Sequence, residues 1–477
     1  MHLLYRKRKK IANHSVYNLH YEKFTNGSVK CIEDEIPFDL PDGWAWARLQ
    51  SITSILTDGT HKTPKYSDKG YIFLSSRNVT SGKIDWDNIA YIPEALHHEL
   101  YTRISPKVGD ILLAKNGTTG VAAIVDREEV FDIYVSLALI RIVENTVDPI
   151  YVLRAIESSF IQDCFKSSLK GIGVPNLHLE HIRKTLLPIP PHSEQNRIIS
   201  KADMLLALVE QILIAENKLH HLVSASKSKI LDLAIHGKLV PQDPNDEPAS
   251  VLLERIRVEK EELIKQGKIK REKKESIIFR SEDNSYYVRQ DTHTEFIDEQ
   301  FIFELPENWK WCSLLNIAKI ELGKTLDSAK NIGTNHPYLR SVNVRWNEVD
   351  LSDLKEMRFE PEELDRYTVR QNDLLICEGG DVGRSCVWTD EREILYQNAL
   401  HRVRFYGGCN PFYFMYYMMY YESRGIIKAL CKGVTIKHLT GNVLSLIPFA
   451  LPPIEEQGRI VERLNRIFVL LDSIIYD

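Results

Sequence analysis

From Ile198 onward the apolar residues fall at alternating steps of four and three. Ile198, Ala202, Leu205, Val209, Ile212, Leu219, Val223, Ile230 and Leu233 follow this rule, and only Glu216 and Ser226 interrupt it. That spacing predicts one coiled-coil helix, on the order of 55 Å long at 1.5 Å per residue. It stops near Gly237, where VPQDPNDEP forms a rigid polar turn, and a second helix is expected from about Ala249. Of the 22 residues from Glu254 to Glu275, 15 are charged, nine positive and six negative, so most of that helix must be solvated. The seam returns near the C-terminus at Ile460, Leu464, Ile467, Leu471 and Ile474. Two matching stripes can be buried against each other or against a partner. A helical hairpin inside a core is the competing explanation, but a narrow seam fits it less well than a broad apolar face would.

Elsewhere the pattern changes to short β-type runs, GYIFLSS, GDILLA and YVSLALIRIV, broken by Gly, Asn and Thr. These runs belong to a repeat. LPDGWAW at Leu40 to Trp46 returns as LPENWKW at Leu305 to Trp311, and Leu74, Ser76, Asn78 and Val79 return as Leu339, Ser341, Asn343 and Val344. GDILLAKNGTTG from Gly109 matches NDLLICEGGDVG from Asn372. DPIY at Asp148 matches NPFY at Asn410, and PHSEQNRI at Pro191 matches PIEEQGRI at Pro453. A nearly constant offset held by ordered blocks marks a duplicated domain of about 150 residues and not a solenoid. Each copy runs from a Trp-rich start through strands to a helix with a capping Asp148 or Asn410 before proline, then to a proline-ended strand. The fold class is α+β, with two repeated globules separated by long coiled-coil helices.

Composition excludes several classes. With 43% hydrophobic and 27% charged residues in 477, the chain reads as globular, not disordered. The longest apolar window, Pro411 to Tyr421, is too short for a membrane span and reads as a buried helix. No apolar stretch follows the cluster Arg6 to Lys10, so no secretory signal is expected. Seven cysteines without a CxxC pair suggest free thiols in a reducing cytoplasm, and no metal site is expected. A net charge of -5 means that any binding of nucleic acid must use local charge.

Two globules spaced by long helices, with LPxxWxW, GDILLAKNGTTG, PPxxEQxRI and the helix turn HGKLVPQDPNDEP, resemble the DNA-specificity (S) subunit of type I restriction-modification systems. The resemblance covers essentially the whole chain. It implies two target recognition domains, each reading one half of a split, asymmetric double-stranded DNA site. It further implies helices that set the unread spacer and dock two methyltransferase (M) subunits, with restriction (R) subunits joining the assembly. No cofactor is expected in this chain; S-adenosylmethionine is expected on the M subunits. The expected setting is the bacterial or archaeal cytoplasm, without a membrane. The domain plan on this reading is a basic N-terminal segment (1–36), recognition domain 1 (37–191), the helical spacer (192–275), a linker (276–304), recognition domain 2 (305–453) and a short distal helix (454–477). That distal helix has about one third of its counterpart's length and lacks the HGKLVP turn. Arg6 to Lys10 aligns loosely with Lys270 to Lys274, so the basic N-terminal segment is a candidate to complete the coil.

Fragments that imitate catalytic motifs fail on inspection. NPFY lacks the second proline of the amino-methyltransferase tetrapeptide and has no Gly-rich loop before it, while GKT at Gly323 follows Ala318 where a phosphate loop needs glycine. The expectation is therefore a non-catalytic subunit; a self-contained DNA methyltransferase and a protein-binding adaptor are the alternatives. Arg and Lys read guanine and hold phosphates, and Asn and Gln read adenine. The candidates in polar loops are Thr60, His61, Lys62, Arg77, Asn78, Lys115 and Asn116 in the first copy. In the second they are Lys324, Arg340, Asn343, Arg345, Arg384, His401, Arg402 and Lys437. Asn78 and Asn343 recur in both copies, which suits a structural turn as well as a backbone contact.

Overall fold

The continuous apolar run Ile111–Ala114 is a strand buried on both faces in a computed structural model of the chain. Ile111 and Leu113 pack into one core, while Leu112 and Ala114 pack into another. The structure describes residues 3–10, 16–169, 176–271, 276–281, 285–290, 293–297, 303–327, 331–431 and 438–476. Two units divide the chain, residues 1–213 and 214–477.

In the first unit a four-stranded antiparallel sheet has the order Thr53–Asp58, Leu137–Ile142, Ile111–Ala114, Ala122–Ile124. A three-stranded sheet places Tyr71–Leu74 between Phe131–Ile133, parallel to it, and Ala90–Ile92. The strand Leu186–Ile189 returns to pair with Ala45–Arg48, so the closing motif lies beside the opening one. The helix Pro149–Glu157 starts as its sequence predicts, with the Asp148 carboxylate accepting from Ile150 N at 2.8 Å.

The second unit repeats this plan. Its first sheet runs Ala318–Leu322, Leu400–Phe405, Leu374–Cys377, Ser385–Val387, and Lys310–Ser313 pairs with Pro448–Leu451. The aromatic window forms the helix Pro411–Ser423, capped by Asn410 on Phe412 N at 3.0 Å and buried along most of its length. Its tyrosines are tolerated in a core because their hydroxyls find partners: Tyr413 donates to Ala450 O at 2.8 Å, Tyr421 to Pro448 O and Tyr416 to Asn465.

The duplication extends beyond the sequence repeat. Leu3–Lys10, Val16–Lys23 and Val29–Cys31 form a three-stranded sheet, and so do Ser276–Arg280, Tyr286–Gln290 and His293–Phe296. Each sheet leads to a buried isoleucine, Ile32 bonded to His20 O and Ile297 bonded to Tyr286 O. Two expectations change as a result. Arg6 to Lys10 is paired strand and does not complete a coil, and the expected linker contains a sheet.

The predicted long helix spans His192–Ile235, and shorter helices span Ala249–Lys265 and Ile454–Tyr476. Gly237, at φ +65°, ends the first, and a Cβ there would lie 2.5 Å from Pro306 Cγ. The seam residues have three fates. Ile198 packs on the core of the first unit. Val223, Ile230, Ile460 and Leu464 are covered within the second unit, where Ile467 and Leu471 are half-buried. The ion pair Lys227–Asp472 ties the long helix to the distal one, and Asp246, in the turn after the long helix, pairs with Arg459 near the distal helix's start. Between these regions Leu205, Val209, Ile212 and Leu219 stand 37–57% exposed. The expectation of a narrow seam is corrected here, because Met204, Leu206, Leu208, Leu213, Ile214 and Leu222 are also exposed and nearly encircle the helix.

Candidate nucleic-acid interface

Several loops of the first unit converge on the turn Tyr134 to Ser136. Thr60 N donates to Ile133 O (3.2 Å) and Val135 N to Thr60 O (3.0 Å), while Lys115 N donates to Ser136 O (2.8 Å). Ser76 N donates to Ser136 Oγ at 3.0 Å, and Leu177 N to Lys115 O at 2.9 Å. Gly59 permits this approach, since a Cβ there would stand 1.9 Å from Ile133 O. Thr60, His61, Lys62, Arg77, Lys115 and Asn116 are thereby carried at one end of the sheet. His61, Lys62 and Arg77 are exposed, and Lys62 and Arg77 have no ion-pair partner among the described residues. Lys115 is buried against the Asp58 carboxylate, and Asn116 is half-buried beside Asn176.

The second unit builds the same frame. Lys324 N donates to Tyr396 O (3.1 Å), Asn398 N to Lys324 O (3.0 Å), Glu378 N to Ala399 O (2.9 Å) and Leu439 N to Glu378 O (2.9 Å). Its side chains differ. Lys324 is buried against Glu363 and lies over the Phe359 ring. Arg340 pairs with Asp353 at 2.7 Å, Arg345 with Asp350 at 2.9 Å, and Arg384 with Asp381. The Arg340 guanidinium, with Lys355 nearby, holds the Asp353 carboxyl below its ordinary value. His401 and Arg402 are each 1% exposed, so these two candidates serve the fold and have no surface to offer a base. Arg402 is held by Glu321 and Thr368 O; His401 donates through Nε2 to Leu439 O at 2.8 Å. Burial pushes the His401 pKa down, which keeps the ring neutral. Lys437 lies outside the described residues.

Asn78 and Asn343 resolve into loop organisers. Asn78 Oδ1 accepts from Ser75 N (2.9 Å), and its Nδ2 donates to Asp85 O (3.3 Å) and Asn88 O (3.1 Å). Asn343 repeats this set with Arg340 N, Asp350 O and Asp353 O.

Sequence reasoning missed three duplicated interactions that shape the site. Arg141 grips Asp110 with two bonds of 2.8 and 2.6 Å, and Arg404 grips Asp373 with the same pair of lengths. Trp44 donates to Glu194 at 3.1 Å and Trp309 to Glu456 at 2.9 Å. Gln195 accepts from Asp148 N and donates to Pro190 O, as Gln457 does with Asn410 N and Pro452 O. The signal was present in the recurrence of GD/ND, WxW and EQ. What those residues touch was not. No group of His, Cys, Asp and Glu fit to hold a metal occurs among the described residues.

Residues 41–220 and 306–474 match the family described as type I restriction modification DNA specificity domain. The chain belongs to that family. The two matched stretches correspond to the two units' repeated domains. Among relatives of this specificity-domain protein is the type I restriction enzyme EcoAI specificity subunit of Escherichia coli. It is 26% identical over 93% of this chain and 80% of the relative. The EcoEI specificity subunit of Escherichia coli is 24% identical over the same shares. A solved chain from work on complex assembly and conformational transition of the type I R-M system has the same fold. Its TM-score is 0.59 at 18% identity, covering 92% of this chain and 94% of that one.

Proposed function

We propose that this specificity-domain chain reads a split, asymmetric double-stranded DNA site, one half with each domain. The observation that supports this is the shared frame of four backbone hydrogen bonds carrying different side chains. Thr60 and Lys115 in the first domain stand where Lys324 and Glu378 stand in the second. One frame with two surfaces suits two different half-sites of one bipartite target. In this reading the helices act as the ruler that sets the spacer, since a rigid coil holds two readers better than a flexible linker. The exposed apolar belt from Met204 to Leu222 gives partner chains a surface to bury, because large apolar side chains exposed in such number are costly in water. Those partners are two methyltransferase subunits, which bring S-adenosylmethionine and the chemistry, and restriction subunits that join them. The chain itself is non-catalytic: Asn410, the residue most like a methyltransferase motif, spends its side chain on capping a helix. The complex works in the cytoplasm of a bacterium or archaeon. Mapping of modified bases in cells carrying the chain and its partner subunits tests the reading. Two short motifs separated by a fixed unread gap support it, and one continuous motif or none contradicts it.

A further inference from the structure

Four matched backbone bonds make Lys115 and Glu378 equivalent positions, yet their side chains carry opposite charge. Lys115 is buried and neutralised by Asp58. Glu378 has no such arrangement. Its side chain is 21% exposed beside Gly379 and Gly380, and among the described residues its one ion-pair partner is His438, whose Nδ1 lies 3.6 Å away and is charged only when the ring is protonated. Three cations on the described loops of the same frame are committed to other carboxylates: Arg340 to Asp353, Arg384 to Asp381 and Lys324 to Glu363. Among the described residues Glu378 therefore has no Lys or Arg partner, while Arg340, Arg384 and Lys324 are each paired with another carboxylate.

A carboxylate on a surface that approaches phosphates is repelled by them unless it meets a hydrogen-bond donor. In the major groove, the donor that suits a lone carboxylate is the N4 amino group of cytosine. We propose that Glu378 reads a cytosine amino group in the half-site of the second domain, and that the first domain has no counterpart to this contact. The proposal rests on the DNA-reading function above and adds which base one side chain selects.

The test uses the complete complex in cells, with modified-base mapping for wild type, Glu378→Ala and Glu378→Gln. Wild type shows a cytosine in one half-site. Glu378→Ala relaxes discrimination at that one position about tenfold, and Glu378→Gln moves the preference toward adenine, which an amide reads. The other half-site and the spacer stay unchanged and report that the protein is folded. An unchanged consensus in both variants overturns the proposal, as does a loss spread evenly over the whole half-site or a relaxed position that is not cytosine. A wild-type map without two half-sites is a different failure; it removes the DNA-reading function itself, and the proposal falls with it.

Discussion

Trp309 donates its indole N–H to Glu456 across 147 residues of chain, and Trp44 does the same to Glu194 across 150. The first and last motifs of each recognition domain are thus one clasp. Trp309 is 1% exposed, and a hydrogen bond to a charged group is worth about 1.5–3 kcal/mol. Trp309→Phe should destabilise the second unit by roughly that amount, read as a lower denaturation midpoint, while the first unit melts unchanged.

How much was legible follows from this clasp. Both tryptophans and both glutamates were visible as repeated letters, and the strands and helix caps around them were placed from periodicity. Their pairing was not visible, because local patterns carry no record of contacts between residues so far apart. The same limit applied to Arg402 and Lys324. As isolated letters in polar loops they looked like DNA contacts, but Glu321 and Glu363, remote in sequence, occupy them. The N-terminal sheet escaped notice because a run of Arg and Lys lacks the apolar alternation that marks a strand.

His401 makes the second unit sensitive to acid. Burial lowers its folded pKa below the ordinary value of 6.5. The stability it contributes is present above that ordinary value and is lost as pH falls through it towards the folded pKa. Denaturation midpoints of the second unit should therefore drop as pH is lowered from 7 through 6, and His401→Gln should flatten that slope. Equal slopes in both proteins would contradict this role.

Asn78→Ala removes three hydrogen bonds from a buried loop organiser and should cost on the order of 2–3 kcal/mol of stability in the first unit. Asn343→Ala should do the same in the second. Neither should change the salt dependence of DNA binding, since neither side chain meets a phosphate in this account. Arg77→Ala should do the reverse, leaving stability within about 0.5 kcal/mol and lowering the slope of log K against log salt by about one.

Leu205 and Val209 lie exposed on the long helix. Leu205→Glu with Val209→Glu should leave the isolated chain's denaturation midpoint within experimental scatter and abolish co-purification with methyltransferase subunits. Retained co-purification would mean that the apolar belt is not their docking surface.

The ruler itself is tested most directly by deleting seven residues, two helical turns in phase, from the exposed stretch of the long helix and mapping modified bases in cells. Seven residues amount to about 10 Å of helix, or roughly three base pairs of DNA. Both half-sites should stay intact, with the spacer shortened by about that number. Altered half-sites, or an unchanged spacer, would contradict it.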